Sequence, residues 1–160
     1  MQEQHMNYMH VALLAAAESL DPSTQNGAVL WTGDGCVTAC NEFPRGVAND
    51  PLRWERPQKY SYVEHAERNA IYRAARRGYR TEGAMLFAPW AACADCARAI
   101  VCSGITTLVR FGNTNTNERW DDSIRIGDEI MAEGGVKIVE LPMTGNHGVT
   151  LRRNGERLVF

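Results

Sequence analysis

Residues 85–111 read MLFAPWAACADCARAIVCSGITTLVRF, and how that run divides decides the fold. Met85 to Ala88 is a short apolar stretch stopped by Pro89, the pattern of a buried strand. Asp95 to Cys102 reads as a helix closed by Ser103-Gly104. Thr107 to Phe111 is apolar and β-branched again, a second strand. Working outward, His65 to Gly78 reads as a helix with Ala66, Ala70, Ile71, Ala74 and Ala75 on its apolar side. Arg68, Arg73, Arg76, Arg77 and Arg80 lie mostly opposite. Downstream, Asp121 to Glu133 is a helix ended by Gly134-Gly135, and Val136 to Leu141 a further strand. The order α-β-α-β-α-β from residue 63 onward predicts mainly parallel pairing with helices on both sheet faces. The expectation is a three-layer α/β/α domain.

The N-terminal third supplies the rest of the sheet. Glu3 to Leu20 sets Met6, Met9, Leu13 and Ala17 at helical spacing, and Asp21-Pro22-Ser23 ends that helix because a residue before proline leaves the helical region. Gly27–Thr32 and Cys36–Ala39 flank Gly33-Asp34-Gly35 and read as a β-hairpin. These strands bring the expected mixed sheet to about five. Asn41 to Pro57 is a long connection with three prolines, of the kind that more often carries function than not. In the tail, Asn154-Gly155 between two short alternating runs signals a tight hairpin. That hairpin could complete the sheet edge, pack on a neighbouring subunit or hang free. The 160 residues are read as one domain, core about 6–141, with a 143–160 extension.

Bulk properties exclude several classes. A chain of 160 residues buries enough surface to fold without disulfides. Its five cysteines are an odd number, which favours a reducing compartment, with cytoplasm the default. Cys36, Cys40 and Cys102 are expected to be small buried residues. The net charge of −2 offers no global field for long nucleic acid. The apolar run Val11 to Ala17 is far short of the ~20 residues a membrane span needs. Residues 1–10 hold no Lys or Arg, so no secretory leader is expected.

Three residues carry metal-ligand chemistry at metal-ligand spacing. Cys93 and Cys96 form C-x-x-C at a helix start, where backbone amides and the macrodipole stabilise thiolates. His65 also opens a helix. One imidazole and two sulfurs leave a fourth tetrahedral position for water, as in catalytic rather than structural zinc. Glu67 lies two residues from His65 and so off its helix face. A carboxylate there serves better as a proton shuttle than as a ligand. Alone, a C-x-x-C fits a catalytic metal site no better than it fits a structural zinc site or core cysteines, and a lone glutamate there would be an ordinary helix-opening acid. H-x-E followed by C-x-x-C tips both toward catalysis, since that set marks zinc nucleobase deaminases.

The stretches Asn41-Glu-Phe-Pro-Arg-Gly46, His65-Ala-Glu-Arg-Asn-Ala-Ile71 and Cys93-Ala-Asp-Cys-Ala-Arg-Ala-Ile100, followed by Ser103-Gly104-Ile105, resemble the deoxycytidylate (dCMP) deaminase family, within the zinc-dependent cytidine deaminase fold. The resemblance runs from about Met6 to Leu141. It implies a cytidine deaminase-like fold, Zn2+ on His65, Cys93 and Cys96, Glu67 as proton shuttle, and conversion of dCMP to dUMP. It implies that Asn41 hydrogen-bonds the nucleotide. It further implies a homohexamer, activated by dCTP and inhibited by dTTP with Mg2+. Three departures stand out, one being that the tail from Met143 onward matches no part of the family pattern. Ala92 occupies the position of the family's proline before the first cysteine. The family's Gly-Tyr-Asn-Gly reads Ala39-Cys40-Asn41-Glu42 here, which puts a carboxylate where effector phosphates approach.

Charge distribution favours an anionic substrate. Between residues 45 and 80 lie nine Lys or Arg against four acids, within a chain of net −2. Arg76 is the first choice for a phosphate or subunit contact and Arg110, following a strand, the second. Trp90, near the cysteines, is expected to line the pocket, and Ala66 completes the substrate-binding set. The alternatives are a same-fold deaminase of cytosine, guanine, a riboflavin precursor or tRNA adenosine, or a non-catalytic zinc-binding module.

Overall fold

Alternate residues of a strand face opposite sides of a sheet, and this chain uses both sides. In the structure, a computed structural model describing residues 2–112, 118–143 and 147–160, the strand β1 (Gly27–Thr32) sends Ala28 and Leu30 to one face and Val29 to the other. Leu86 and Phe87 of β3 (Met85–Phe87) divide in the same way, as do Leu108 and Val109 of β4 (Thr107–Phe111). The first face packs on α3 (Ala66–Arg77), α4 (Ala94–Cys102) and α5 (Glu118–Glu133) through Ala66, Ala70, Ala74, Ala97, Ile100 and Met131. The second packs on α1 (Gln2–Ala17) through Met9, Ala12, Leu13 and Ala16. The small alanines of α1 and α3 let both helices lie close to the sheet. The three expected layers are present.

The five-stranded sheet runs β2-β1-β3-β4-β5, with β2 at Gly35–Cys40 and β5 at Lys137–Leu141. β1 is antiparallel to β2, with Gly27 opposite Cys40, and antiparallel to β3, with Leu30 opposite Leu86. β3, β4 and β5 are parallel, joined by the helical crossovers α4 and α5. The sheet is therefore mixed, with its parallel part confined to the α-β-α-β-α-β half.

The long connection is more ordered than its prolines suggest. Pro51–Trp54 forms a 3-10 turn whose start is capped by Asp50, and the one-turn helix α2 covers Lys59–Tyr62. Four residues are too few to leave a periodic signal. Two expected burials are corrected: Cys40 is buried, but Cys36 and Cys102 are exposed. Cys36 pairs with half-exposed Trp31 on the outer side of the edge strand, and Cys102 ends α4 on its solvent side. No helix among the described residues is long and apolar enough to cross a membrane.

The tail forms the hairpin β6 (Thr150–Arg153) and β7 (Glu156–Val159), separate from the main sheet. Asn154 and Gly155 make the turn with φ of 52° and 85°, the left-handed values a tight hairpin needs. It neither completes the edge of the main sheet nor hangs free. Val149, Leu151 and Phe160 join the α1-side core of their own chain instead. The backbone N–H of Gln25 donates to Arg152 at 2.9 Å, and that of Gly155 to Ser23 at 2.9 Å.

α1 crosses β1 at Gly27. A methyl group there would lie 2.1 Å from the Ala12 carbonyl oxygen and 2.4 Å from the Ala16 nitrogen, both backbone. Neither can step aside without moving the helix. Gly27→Ala is expected to cost about 3 kcal/mol, an overpacking penalty, read as a fall of about 10 °C in Tm. A melt unchanged within 2 °C would show that α1 is free to shift.

Candidate active site

His65 and Cys93 occupy the N-cap positions of α3 and α4, and neither side chain caps its own helix. Both are thereby left to point at each other. Cys93 Sγ lies 3.5 Å and Cys96 Sγ 3.6 Å from His65 Nδ1, and the three donor atoms lie within 4.8 Å of one another. A tetrahedral zinc about 2.1 Å from nitrogen and 2.3 Å from sulfur separates its donors by roughly 3.6 Å. The spacing and the soft, mixed N/S donor set therefore fit zinc.

The caps come from elsewhere. Asn41 Oδ1 accepts from the Ala66 N–H at 3.0 Å at the start of α3. Ser123 Oγ of α5 accepts from the Ala94 N–H at 3.1 Å at the start of α4. Gly127 brings α5 against the same loop, because a methyl group there would sit 2.8 Å from the Ala92 carbonyl oxygen.

Glu67 is 2 % exposed and lines the same pocket as His65 and Cys93. Asn26 Nδ2 donates to its Oε2 at 3.2 Å. Burial pushes the Glu67 carboxyl above its usual range, and Cys93 adds to this while His65 opposes it. A hydrogen bond from Cys96 lowers the Cys93 thiol to about 4, with His65 helping. The same bond and burial raise Cys96. Burial alone would depress His65, but the hydrogen bond and charge of Cys93, with Glu67, leave it raised. One thiol of the pair is thus held as a thiolate beside the imidazole.

The pocket around these groups has a volume of about 110 Å³. Its walls come from seven separate stretches, including Thr24 and Asn26, Arg56 to Tyr60, and Trp120 to Ile124. Lys59 is buried and paired with fully buried Asp21 at 2.7 Å. Asp21 also accepts from the backbone of Ser23 and Thr24, so a residue four positions beyond the end of α1 anchors one wall. Sequence reasoning missed Asn26, Lys59 and Arg153. None of them belongs to a recognisable motif of its own.

The expected substrate residues separate. Trp90 lines the pocket and donates through Nε1 to the Gln25 carbonyl at 3.0 Å. Asn41 lines it too, but its amide is engaged with Ala66, with Thr24 O at 3.0 Å and with Asp21 at 3.5 Å. Ala66 is fully buried in the core and offers its N–H to Asn41 rather than a side chain to the pocket. Arg76 lies in a second cavity with Arg45, Tyr72, Arg73 and Arg77, away from the cluster. Arg110 is the clear correction. Its guanidinium forks to Asp128 at 2.7 and 2.9 Å and reaches Glu140 at 2.9 Å, tying β4 to β5 and α5. Those carboxylates use the donors that a phosphate would need.

An α/β/α sandwich that joins one imidazole and two thiols at the starts of adjacent helices, with a buried carboxylate beside them, defines the class of zinc-dependent deaminases. The family model for the cytidine and deoxycytidylate deaminase zinc-binding region matches residues 2–111, and the chain belongs to that family. It is 32 % identical over 138 residues to an uncharacterized deaminase encoded in the luxG 3' region of Aliivibrio fischeri, covering 85 % of this chain and 92 % of that one. It is 32 % identical over 110 residues to the Homo sapiens deoxycytidylate deaminase, covering 64 % of this chain and 61 % of that protein. The chain thus spans about three fifths of the length of that relative. In fold it is similar to the dCMP deaminase of cyanophage S-TIM5 solved with dCMP and dUMP, with a TM-score of 0.70 at 22 % identity, covering 87 % of this chain and 97 % of that one.

Proposed function

We propose that this protein, read as one deaminase domain, hydrolyses dCMP to dUMP and ammonia. The observation that carries the reading is the cluster of His65, Cys93 and Cys96 beside buried Glu67 in one pocket with three basic side chains, Arg56, Lys59 and Arg153. The deoxycytidylate deaminases among its relatives add support. His65, Cys93 and Cys96 would hold the zinc, which when bound supplies Lewis acidity that brings the pKa of water toward neutrality. Glu67 takes a proton from the attacking water and delivers it to N3 of the cytosine ring. As the C4–N4 bond breaks, Glu67 relays the second water proton to the departing amine, so one water supplies the new C4 oxygen, the N3–H of the uracil and the one proton that turns the leaving NH2 into ammonia. Asn26 holds one oxygen of the Glu67 carboxylate during these transfers. Trp90 and Trp120 form apolar walls suited to a pyrimidine.

The test is ammonia release from dCMP, deoxycytidine, cytosine, guanine and adenosine side by side. dCMP is expected to be the preferred substrate, and faster turnover of deoxycytidine would defeat the nucleotide reading. The same reading extends to a homohexamer governed by dCTP and by dTTP with Mg2+, and to a cytoplasmic setting. The arginine-lined second cavity supports an anionic effector, although Glu42 pairs there with Arg73 at 2.5 Å. Five free cysteines suit a reducing compartment. Light scattering is expected to give six chain masses, and a monomer at working concentration would remove the hexamer.

A further inference from the structure

Arg153 belongs to the C-terminal hairpin, outside the 2–111 match to the family model, yet it lines the pocket that holds His65, Cys93 and Glu67. We propose that this hairpin is a wall of the active site and that Arg153 is the residue that selects a phosphorylated ligand by pairing with its 5′-phosphate. The proposal rests on the deaminase reading above and names one contact within it.

The hairpin is fixed where it meets the pocket. Its tip lies on the loop 23–26, with the Asn154 N–H donating to Thr24 Oγ1 at 3.1 Å and the Gly155 N–H to the Ser23 carbonyl at 2.9 Å. Two residues before Asn154, the Arg152 N–H donates to Gln25 Oε1 at 2.9 Å. Thr24 and Asn26 on that loop are pocket walls themselves. The left-handed turn at Asn154 and Gly155 then sets where Arg153 emerges.

Three cations line the pocket, and they are not equivalent. Lys59 is committed to Asp21. Arg56 donates to Ser23 Oγ at 3.0 Å. Arg153 is half-buried and its guanidinium lies 4.2 Å above the Trp90 ring. No carboxylate pairs with it among the described residues. Burial accordingly pulls its pKa below the usual arginine value. A partly desolvated cation without an anion is costly, and an anionic ligand group offsets that cost. Stacking on an indole fixes the guanidinium plane and leaves its N–H edge free to fork onto two phosphate oxygens.

The reaction product is a convenient probe, because it binds without being turned over. Titrations of the zinc-loaded protein with dUMP and with deoxyuridine are compared for wild type, Arg153→Gln and Arg153→Lys. In Arg153→Gln, dUMP affinity is expected to fall about 10- to 100-fold, the worth of a charge-assisted contact, with deoxyuridine affinity unchanged. Arg153→Lys is expected to recover part of the loss. If both ligands weaken alike, Arg153 merely supports Trp90 and the proposal is overturned. If neither weakens, the phosphate is held elsewhere and the proposal is likewise overturned. Wild-type protein that releases ammonia from dCMP while either of these results holds leaves the proposed function standing. Wild-type protein that releases none removes both.

Discussion

Glu67→Gln lowers the rate of ammonia release from dCMP by about 1,000- to 10,000-fold, the full worth of a positioned proton carrier, and keeps one zinc per chain. Glutamine fills the same volume at a site 2 % exposed and can still accept the hydrogen bond from Asn26. It cannot carry a proton between water and a ring nitrogen. Removing a buried carboxylate does not weaken the fold, so the melting temperature stays at or above the wild-type value. Elemental analysis and a thermal melt accompany the rate measurement. A rate within tenfold of wild type would move the shuttle to another group. It would equally suit the rival picture of a zinc-bearing module that binds without reacting.

Cys93→Ala strips the metal instead. Cys93 is the thiol held lowest of the pair and lies 3.5 Å from His65 Nδ1, so its loss leaves one sulfur and one imidazole, too few for a closed hold on zinc. Zinc is expected to fall below a tenth of an equivalent per chain. A ligand held at a thousandfold excess over its Kd stabilises by about 4 kcal/mol, so the melting temperature drops by roughly 10–15 °C. A strong chelator should reproduce that drop in the wild type and leave the variant's melt where it is. Normal zinc content in the variant would break the ligand set.

How much of this was readable beforehand follows from the range over which each feature acts. The α-β-α-β-α-β half is local: Ala66, Ala70 and Ala74 recur at helical spacing, and strands β3 to β5 sit between clear breakers. The metal cluster was readable because its three donors carry scarce chemistry at short spacing, on helix starts marked by the sequence. The pocket walls were not. Thr24, Asn26, Lys59 and Arg153 meet only after the chain has folded, and nothing near any of them in sequence announces the meeting. Arg110 shows the converse. An arginine closing a strand looks the same whether it faces a phosphate or two carboxylates 18 and 30 residues away. Cys36 and Cys102 were misplaced because residue type alone cannot tell the outer side of an edge strand or a helix end from the core.

Neither helix that presents a donor relies on that donor's side chain to begin. Asn41 and Ser123 do this for them. Chemistry and scaffolding are therefore divided between different residues, so positions 65 and 93 can be exchanged for other ligating side chains while α3 and α4 stay wound. The scaffold is suited to re-tooling for a different ion, and the constraint on such re-tooling falls on two residues that never touch the metal.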